Sequence, residues 1–104
     1  MSVRQPLPAR RPNFTVETEW SGHPITVTVG LRLDGSPAEV FADTPRGGDL
    51  QASIADACVL ISLALQHGLT PADLAKSLGR VPVWAEPGTL APASPVGAIV
   101  GVLL

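Results

Sequence analysis

The segment from Gly47 to Gly68, GGDLQASIADACVLISLALQHG, constrains the fold more than any other part of the chain. Its apolar residues recur at the i, i+3, i+4 and i+7 spacing of a helix that faces a core. They are Leu50, Ile54, Ala57, Cys58, Ile61 and Leu65. From Ala57 to Leu65 only Ser62 is polar, so we expect this helix to be covered on more than one side. The pattern predicts the central helix of a small domain that also contains strands.

Both ends of this helix carry recognisable signals. Asp49 is predicted to be the N-cap, because its carboxylate can accept hydrogen bonds from the free N–H groups of the first turn. Gly68 is predicted to end the helix in the left-handed conformation, and Leu69 to supply the apolar contact of a Schellman motif.

Length and charge restrict the possible functions. A chain of 104 residues is one domain by size. It is too short for a catalytic barrel, which commonly needs about 250 residues. The net charge of −2 provides no field that attracts nucleic acid. We therefore expect no nucleic-acid partner.

Cysteine usage and hydropathy indicate the compartment. The single cysteine, Cys58, cannot form an internal disulfide, and no Cys/His spacing predicts a metal site. No signal peptide is visible in the first residues, and uninterrupted apolar runs are shorter than the roughly 20 residues of a membrane helix. We expect a cytoplasmic protein with no cofactor, no metal and no membrane contact.

Before the central helix the chain predicts an arm and three strands. Residues 1–12 combine proline with arginine and predict a flexible arm, which leaves residues 13–104 as the single domain. Alternating apolar residues predict strands at Asn13–Trp20 and Ile25–Leu33, followed by a short strand at Ala38–Asp43. Short turns join them, so we expect an antiparallel meander.

After the central helix two shorter helices are predicted. Thr70-Pro71-Ala72-Asp73 has the form of a capping box and begins a helix to about Leu78. A loop is expected from Arg80 to Pro92, and Ser94-Pro95 begins an uncharged last helix. The predicted fold class is α+β. A three-stranded antiparallel meander is followed by the long central helix and two shorter helices, and the helices pack on one face of the sheet.

One stretch has the form of a ligand site. Arg46-Gly47-Gly48 precedes the N-terminus of the central helix, where free N–H groups and a cation favour an anion or a nucleotide phosphate. Asp49 would compete for the same N–H groups. The alternative interpretation is a plain strand-to-helix turn.

The remaining polar residues predict no catalytic group. His23 and His67 have no serine, cysteine or carboxylate beside them in sequence, and Glu17 with Glu19 is typical of a solvated strand face. Trp20 and Trp84 are predicted to be core or interface anchors.

Several motifs occur in an order that resembles a known family. They are Arg11-Pro12, then Gly35-Ser36-Pro37-Ala38-Glu39-Val40-Phe41, then Arg46-Gly47-Gly48, then Ile61 to Gly68. In this order the chain after residue 10 resembles the TSCPD domain. That domain occurs at the C-terminus of adenosylcobalamin-dependent ribonucleotide reductases and also as small free-standing proteins.

The chain also departs from the family pattern. Where the family has a Thr-Ser-Cys-Pro-Asp type motif, this chain reads Ala93-Ser94-Pro95-Val96-Gly97. Gln66 replaces the arginine that is usual before the last glycine of the central helix. The electron-shuttling cysteines of full-length reductases and their catalytic barrel are absent from this sequence. The resemblance therefore implies a fold and an association with nucleotide reduction, and it supplies no catalytic residue.

Three hypotheses follow. The first is a stand-alone TSCPD-like module, not catalytic by itself, that forms a homodimer or associates with a ribonucleotide reductase, its basic arm contacting an acidic partner. The second is a small anion- or nucleotide-binding domain that uses Arg46, Gly47, Gly48 and Asp49. The third is an enzyme whose residues the sequence does not group.

Overall fold

A computed structural model describes residues 12–45 and 47–104, so most of the predicted arm and Arg46 lie outside the described residues. The elements are β1 (Asn13–Trp20), β2 (His23–Leu31), β3 (Pro37–Asp43), α1 (Gly48–Gln66), α2 (Pro71–Ala75), β4 (Arg80–Pro82), β5 (Leu90–Pro92) and α3 (Pro95–Leu103). The predicted α+β class, with a three-stranded meander followed by one long and two short helices, is confirmed.

The main sheet has the antiparallel order β1-β2-β3. Cross-strand pairs such as Val16 with Val27 and Val29 with Val40 place the apolar positions of all three strands on one face. On β2 and β3 that face is buried. The opposite face carries mainly threonine and acidic side chains. The alternation of apolar and polar residues therefore predicted correctly which strand side chains share a face of the sheet, because the side-chain period of a strand is two.

The second strand ends earlier than predicted. It stops at Leu31, where the pairing with β3 is irregular. The N–H of Arg32 then donates to the Ser36 carbonyl at 2.8 Å, which closes the turn. Leu33 was predicted to point inward; it lies in this turn with 84% of its surface exposed, so that prediction is wrong.

The helix α1 covers the β3 side of the sheet. Its buried apolar residues are Ile54, Cys58, Ile61 and Leu65, all part of the predicted stripe. The N-cap is Gly47 rather than the predicted Asp49, which lies in the first turn. Gly47 has φ +61°, a conformation that a residue with a Cβ rarely adopts, and the helix starts directly after it.

The C-terminus of α1 has the predicted Schellman motif. The Leu69 N–H donates to the Ala64 carbonyl at 3.0 Å, and the Gly68 N–H donates to the Leu65 carbonyl at 3.1 Å. Arg32 adds a cation at this end, because its Nη2 donates to the Leu65 carbonyl at 2.7 Å. A positive charge there also complements the negative end of the helix dipole.

The C-terminal third of the chain differs from the sequence-based prediction in two places. The capping box at Thr70 and Asp73 is present, but α2 ends at Ala75 instead of Leu78. The predicted loop Arg80–Pro92 contains the short hairpin β4-β5. The last helix, α3, begins at the predicted Ser94 cap and contacts β1, β2, α1 and α2, so its apolar residues complete the core.

By length and composition alone, α1 is apolar enough to cross a membrane. The prediction of no membrane contact rested on uninterrupted apolar runs, and α1 interrupts its apolar residues with a few polar ones. In this fold one side of α1 packs on β3 and the core. A core helix passes the same test of length and composition.

Candidate functional site

Side chains of α1 form hydrogen bonds with the backbone at the outer edge of β3, where another strand would otherwise pair. The Oγ of Ser62 accepts from the Val40 N–H at 3.0 Å and donates to the Val40 carbonyl at 3.3 Å. The Nε2 of Gln66 donates to the Ala38 carbonyl at 3.1 Å. These bonds satisfy the backbone groups that an edge strand leaves unpaired.

Gln51 does the same at the other end of β3. Its Oε1 accepts from the Thr44 N–H at 2.7 Å, and its Nε2 donates to the Ala42 carbonyl at 3.3 Å. Gln51, Ser62 and Gln66 lie on one side of α1, since their spacing is close to whole turns of 3.6 residues. We call these three side chains the edge stripe.

Cys58 lies on the same side of α1 and is buried. The pKa of its thiol is raised from 9.0 to about 11, first by burial and then by the nearby Asp43 carboxylate, while a hydrogen bond from the Ala42 backbone opposes the increase. The thiol is therefore protonated at neutral pH. Because the thiolate is the reactive form, Cys58 is suited to packing and not to nucleophilic chemistry.

A groove of about 560 Å³ runs along β3 beside α1. Its most exposed apolar side chains are Phe41 on β3 and Val59 on α1, which are 58% and 57% exposed. Glu39 and Asp43 also line it. Neither lysine nor arginine is among the described residues that line this groove. It combines exposed apolar surface with the uncharged edge stripe, and its charged side chains among the described residues are the two carboxylates.

The predicted anion site falls at the N-terminus of α1. Gly47 and Gly48 both have positive φ, and no described side chain caps this helix end. Thr44, three residues before the N-cap, has a buried Oγ1 without a hydrogen-bond partner among the described residues. Asp49 argues against an anion at this helix end, because its negatively charged carboxylate lies in the first turn. Arg46, the cation of the predicted site, lies outside the described residues, so its role stays a prediction.

The other predicted polar residues have structural surroundings. The ring of His23 stacks on Trp20 with 6.1 Å between centroids. Glu17 accepts a hydrogen bond from the Thr26 hydroxyl at 2.7 Å across β1 and β2. No three His, Cys, Asp or Glu side chains gather as a metal site within residues 12–45 and 47–104.

The two tryptophans have different environments. Trp20 is half-buried and packs against the core, as one of the predicted alternatives required. Trp84, between β4 and β5, is 98% exposed and is therefore not a core residue. Its predicted role as an interface anchor is the alternative that remains.

Comparison with known protein families shows to which family the chain belongs. The family model for the TSCPD domain matches residues 3–103, nearly the whole chain. No solved structure matches it.

Proposed function

Because this chain belongs to the TSCPD domain family, we propose that it is a stand-alone module that acts with a ribonucleotide reductase in deoxyribonucleotide synthesis and is not catalytic by itself. The observation that carries this proposal is the extent of the match, residues 3–103, which makes nearly the whole chain this one domain. The resemblance implies that in the large reductases the same domain is attached covalently to the catalytic barrel. A free-standing copy must instead recognise its reductase by binding.

The chemistry of the described side chains supports a binding role. The buried thiol of Cys58 is protonated at neutral pH. The pKa values of Asp34 and Asp73 are lowered by hydrogen bonds from Ser36 and Thr70, respectively, in local turn and capping contacts. Local contacts within the fold explain these perturbed pKa values. Exposed apolar side chains such as Phe41 and Trp84 are not needed for the core and are typical of binding surfaces.

Co-purification tests the proposal. The affinity-tagged chain, expressed in its native host, is expected to recover the catalytic subunit of the reductase. A tagged unrelated domain of the same size and charge is the matched control. Repeated recovery of the tagged chain without any reductase component would count against the proposal.

A homodimer is the assembly predicted from the sequence, and it stays a prediction. An exposed apolar area supports it, the β4-β5 hairpin with Val81, Trp84 and Leu90. Light scattering across a dilution series is expected to give twice the chain mass. The mass of one chain at every concentration would reject self-association.

The alternative function is anion or nucleotide binding at Arg46, Gly47, Gly48 and Asp49. The observation that favours it is the helix end itself, where two glycines precede free N–H groups and no described side chain caps them. In calorimetry, a nucleoside triphosphate would bind the wild type and bind Arg46→Ala at least several-fold more weakly. The absence of binding heat with nucleotides and with inorganic phosphate would end this alternative.

A further inference from the structure

We propose that the outer side of α1 together with the groove along β3 binds a basic amphipathic helix of a partner protein. This surface, the α1–β3 face, is defined by Phe41, Val59, Leu60 and Leu63 with Asp43 and Asp56. The inference deepens the proposed function, because it names the surface with which the module would recognise a reductase.

The apolar part of the face consists of large side chains that the described residues leave exposed. Leu60 is 68% exposed, Val59 57% and Phe41 58%, and Leu63 lies between them on the next turn of α1. Val59 and Leu63 are neighbours on the helix surface because they are four residues apart. Contiguous exposed apolar patches of this kind mark interaction sites.

Among the described residues, the charges around this apolar centre all have the same sign. Asp56 precedes Val59 by one turn of α1, and the solvent face of the sheet carries further carboxylates at Glu17, Glu19, Glu39 and Asp43. The described cations lie elsewhere: Arg32 bonds the C-terminal end of α1, and Lys76 and Arg80 follow α2. A partner with lysine or arginine beside its apolar residues is complementary to this distribution.

The hydrogen bonding of the β3 backbone restricts the secondary structure that a bound partner segment can have. Strand addition needs free N–H and C=O groups on a sheet edge. The edge stripe already bonds the carbonyls of Ala38, Val40 and Ala42 and the N–H of Val40. Recognition must therefore use side chains, as when an apolar helix face lies in a groove. The five residues from Glu39 to Asp43 span about 16 Å, which matches roughly eleven helical residues.

Charge also argues against two other occupants. A second copy of the chain on a twofold axis would bring the same carboxylates to both sides of the interface, and like charges facing each other are unfavourable. An anionic lipid surface would be repelled for the same reason. A basic helix is the occupant that the face attracts.

The first experiment uses a synthetic amphipathic peptide of about 14 residues made of leucine and lysine, with a leucine and glutamate peptide as its control. In NMR titrations of the full chain, the lysine peptide is expected to shift the amides of Phe41, Val59 and Leu63. The glutamate peptide is expected to leave them unchanged. Equal binding of both peptides, shifts confined to another surface, or a face already closed in a dimer would overturn the proposal.

Matched variants distinguish binding at the α1–β3 face from non-specific charge or apolar attraction to the whole chain. Asp56→Lys is expected to weaken the lysine peptide at least tenfold, whereas Glu86→Lys, which changes the net charge equally in the β4-β5 loop, is expected to have a much smaller effect. Phe41→Ser is expected to weaken it similarly, with Leu33→Ser as the control for loss of an exposed apolar side chain. Equal effects within either pair would refute the assignment.

The chain's own basic arm is tested in the same titration. Replacing Arg4, Arg10 and Arg11 by serine is expected to leave the affinity for the lysine peptide unchanged within about twofold. A large gain in affinity would mean that the arm already occupies the face, and would overturn the assignment to a partner protein.

The same variants separate this inference from the proposed function. If the reductase binds wild type, Asp56→Lys and Phe41→Ser equally well, the surface assignment fails and the proposed function stands. If the lysine peptide occupies the groove but no reductase component binds the chain, the proposed function fails and the surface assignment stands.

Discussion

Replacing Ser62 by alanine tests how much the edge stripe contributes to stability. The hydroxyl makes two hydrogen bonds, accepting from the Val40 N–H and donating to the Val40 carbonyl. Val40 itself is buried, so its backbone groups would lose their partner with little access to water. A buried polar group left unsatisfied costs about 1–3 kcal/mol. Because Ser62 is only partly buried, water can replace part of this bonding, and we expect the lost bonds themselves to cost about 2 kcal/mol of the free energy of unfolding.

The matched control is Ser53→Ala, at an exposed position on the same helix. Both substitutions gain the same helix propensity, roughly 0.5 kcal/mol in favour of alanine. The difference between the two variants therefore isolates the bonds to β3. Urea unfolding followed by circular dichroism measures it, and a difference of 2 kcal/mol corresponds to about 8–16 °C in melting temperature. Equal stabilities within about 0.5 kcal/mol would refute the role given to the edge stripe.

Two further predictions concern α1. Gly68→Ala is expected to cost about 1–2 kcal/mol, because φ there is +99° and a Cβ disfavours the left-handed region; an unchanged melting temperature would contradict this. Stability is also expected to fall between pH 9 and 11, since the Cys58 thiol ionises near 9 when unfolded and near 11 when folded, so the unfolded chain binds fewer protons in that range. Cys58→Ala should flatten this part of the pH profile of urea unfolding, and an equally steep profile in the variant would assign the effect to other groups.

Much of the fold was predictable because it follows from local periodicity. The alternation in β2 and β3 places Ile25, Val27, Val29 and Val40 in the core shared with the helices, and the residues from Thr70 to Asp73 form the predicted capping box. The start of α1 was not predictable from side-chain preferences. Asp49 is a residue type that often caps helices, but the backbone of Gly47 already turns the chain into the helix two residues earlier.

Features that depend on tertiary contacts were missed. Ser62 was interpreted only as the polar exception in an apolar helix, Gln66 only as a departure from the family pattern, and Gln51 was given no role. Their common side was a signal that they face something polar. The hairpin inside Arg80–Pro92 was missed because its prolines resemble a loop. Proline is tolerated at the ends of β4 and β5, since each is a short edge strand.

The α1–β3 face could not be derived from sequence for a related reason. Phe41 and Val59 are distant in sequence, and only the packing of α1 beside β3 brings them to one groove. The predicted ligand turn is the opposite case. Its glycines were recognised from sequence, and the structure shows that both have positive φ, while what the turn binds stays a prediction.

The most direct test of the central claim is the affinity between the purified chain and the purified catalytic subunit of an adenosylcobalamin-dependent ribonucleotide reductase from the same host. Isothermal titration calorimetry gives the affinity and the stoichiometry, and light scattering gives the mass of the complex. The account predicts a saturable complex that Asp56→Lys weakens and Glu86→Lys does not. Two proteins that keep their separate masses and release no heat on mixing would contradict it.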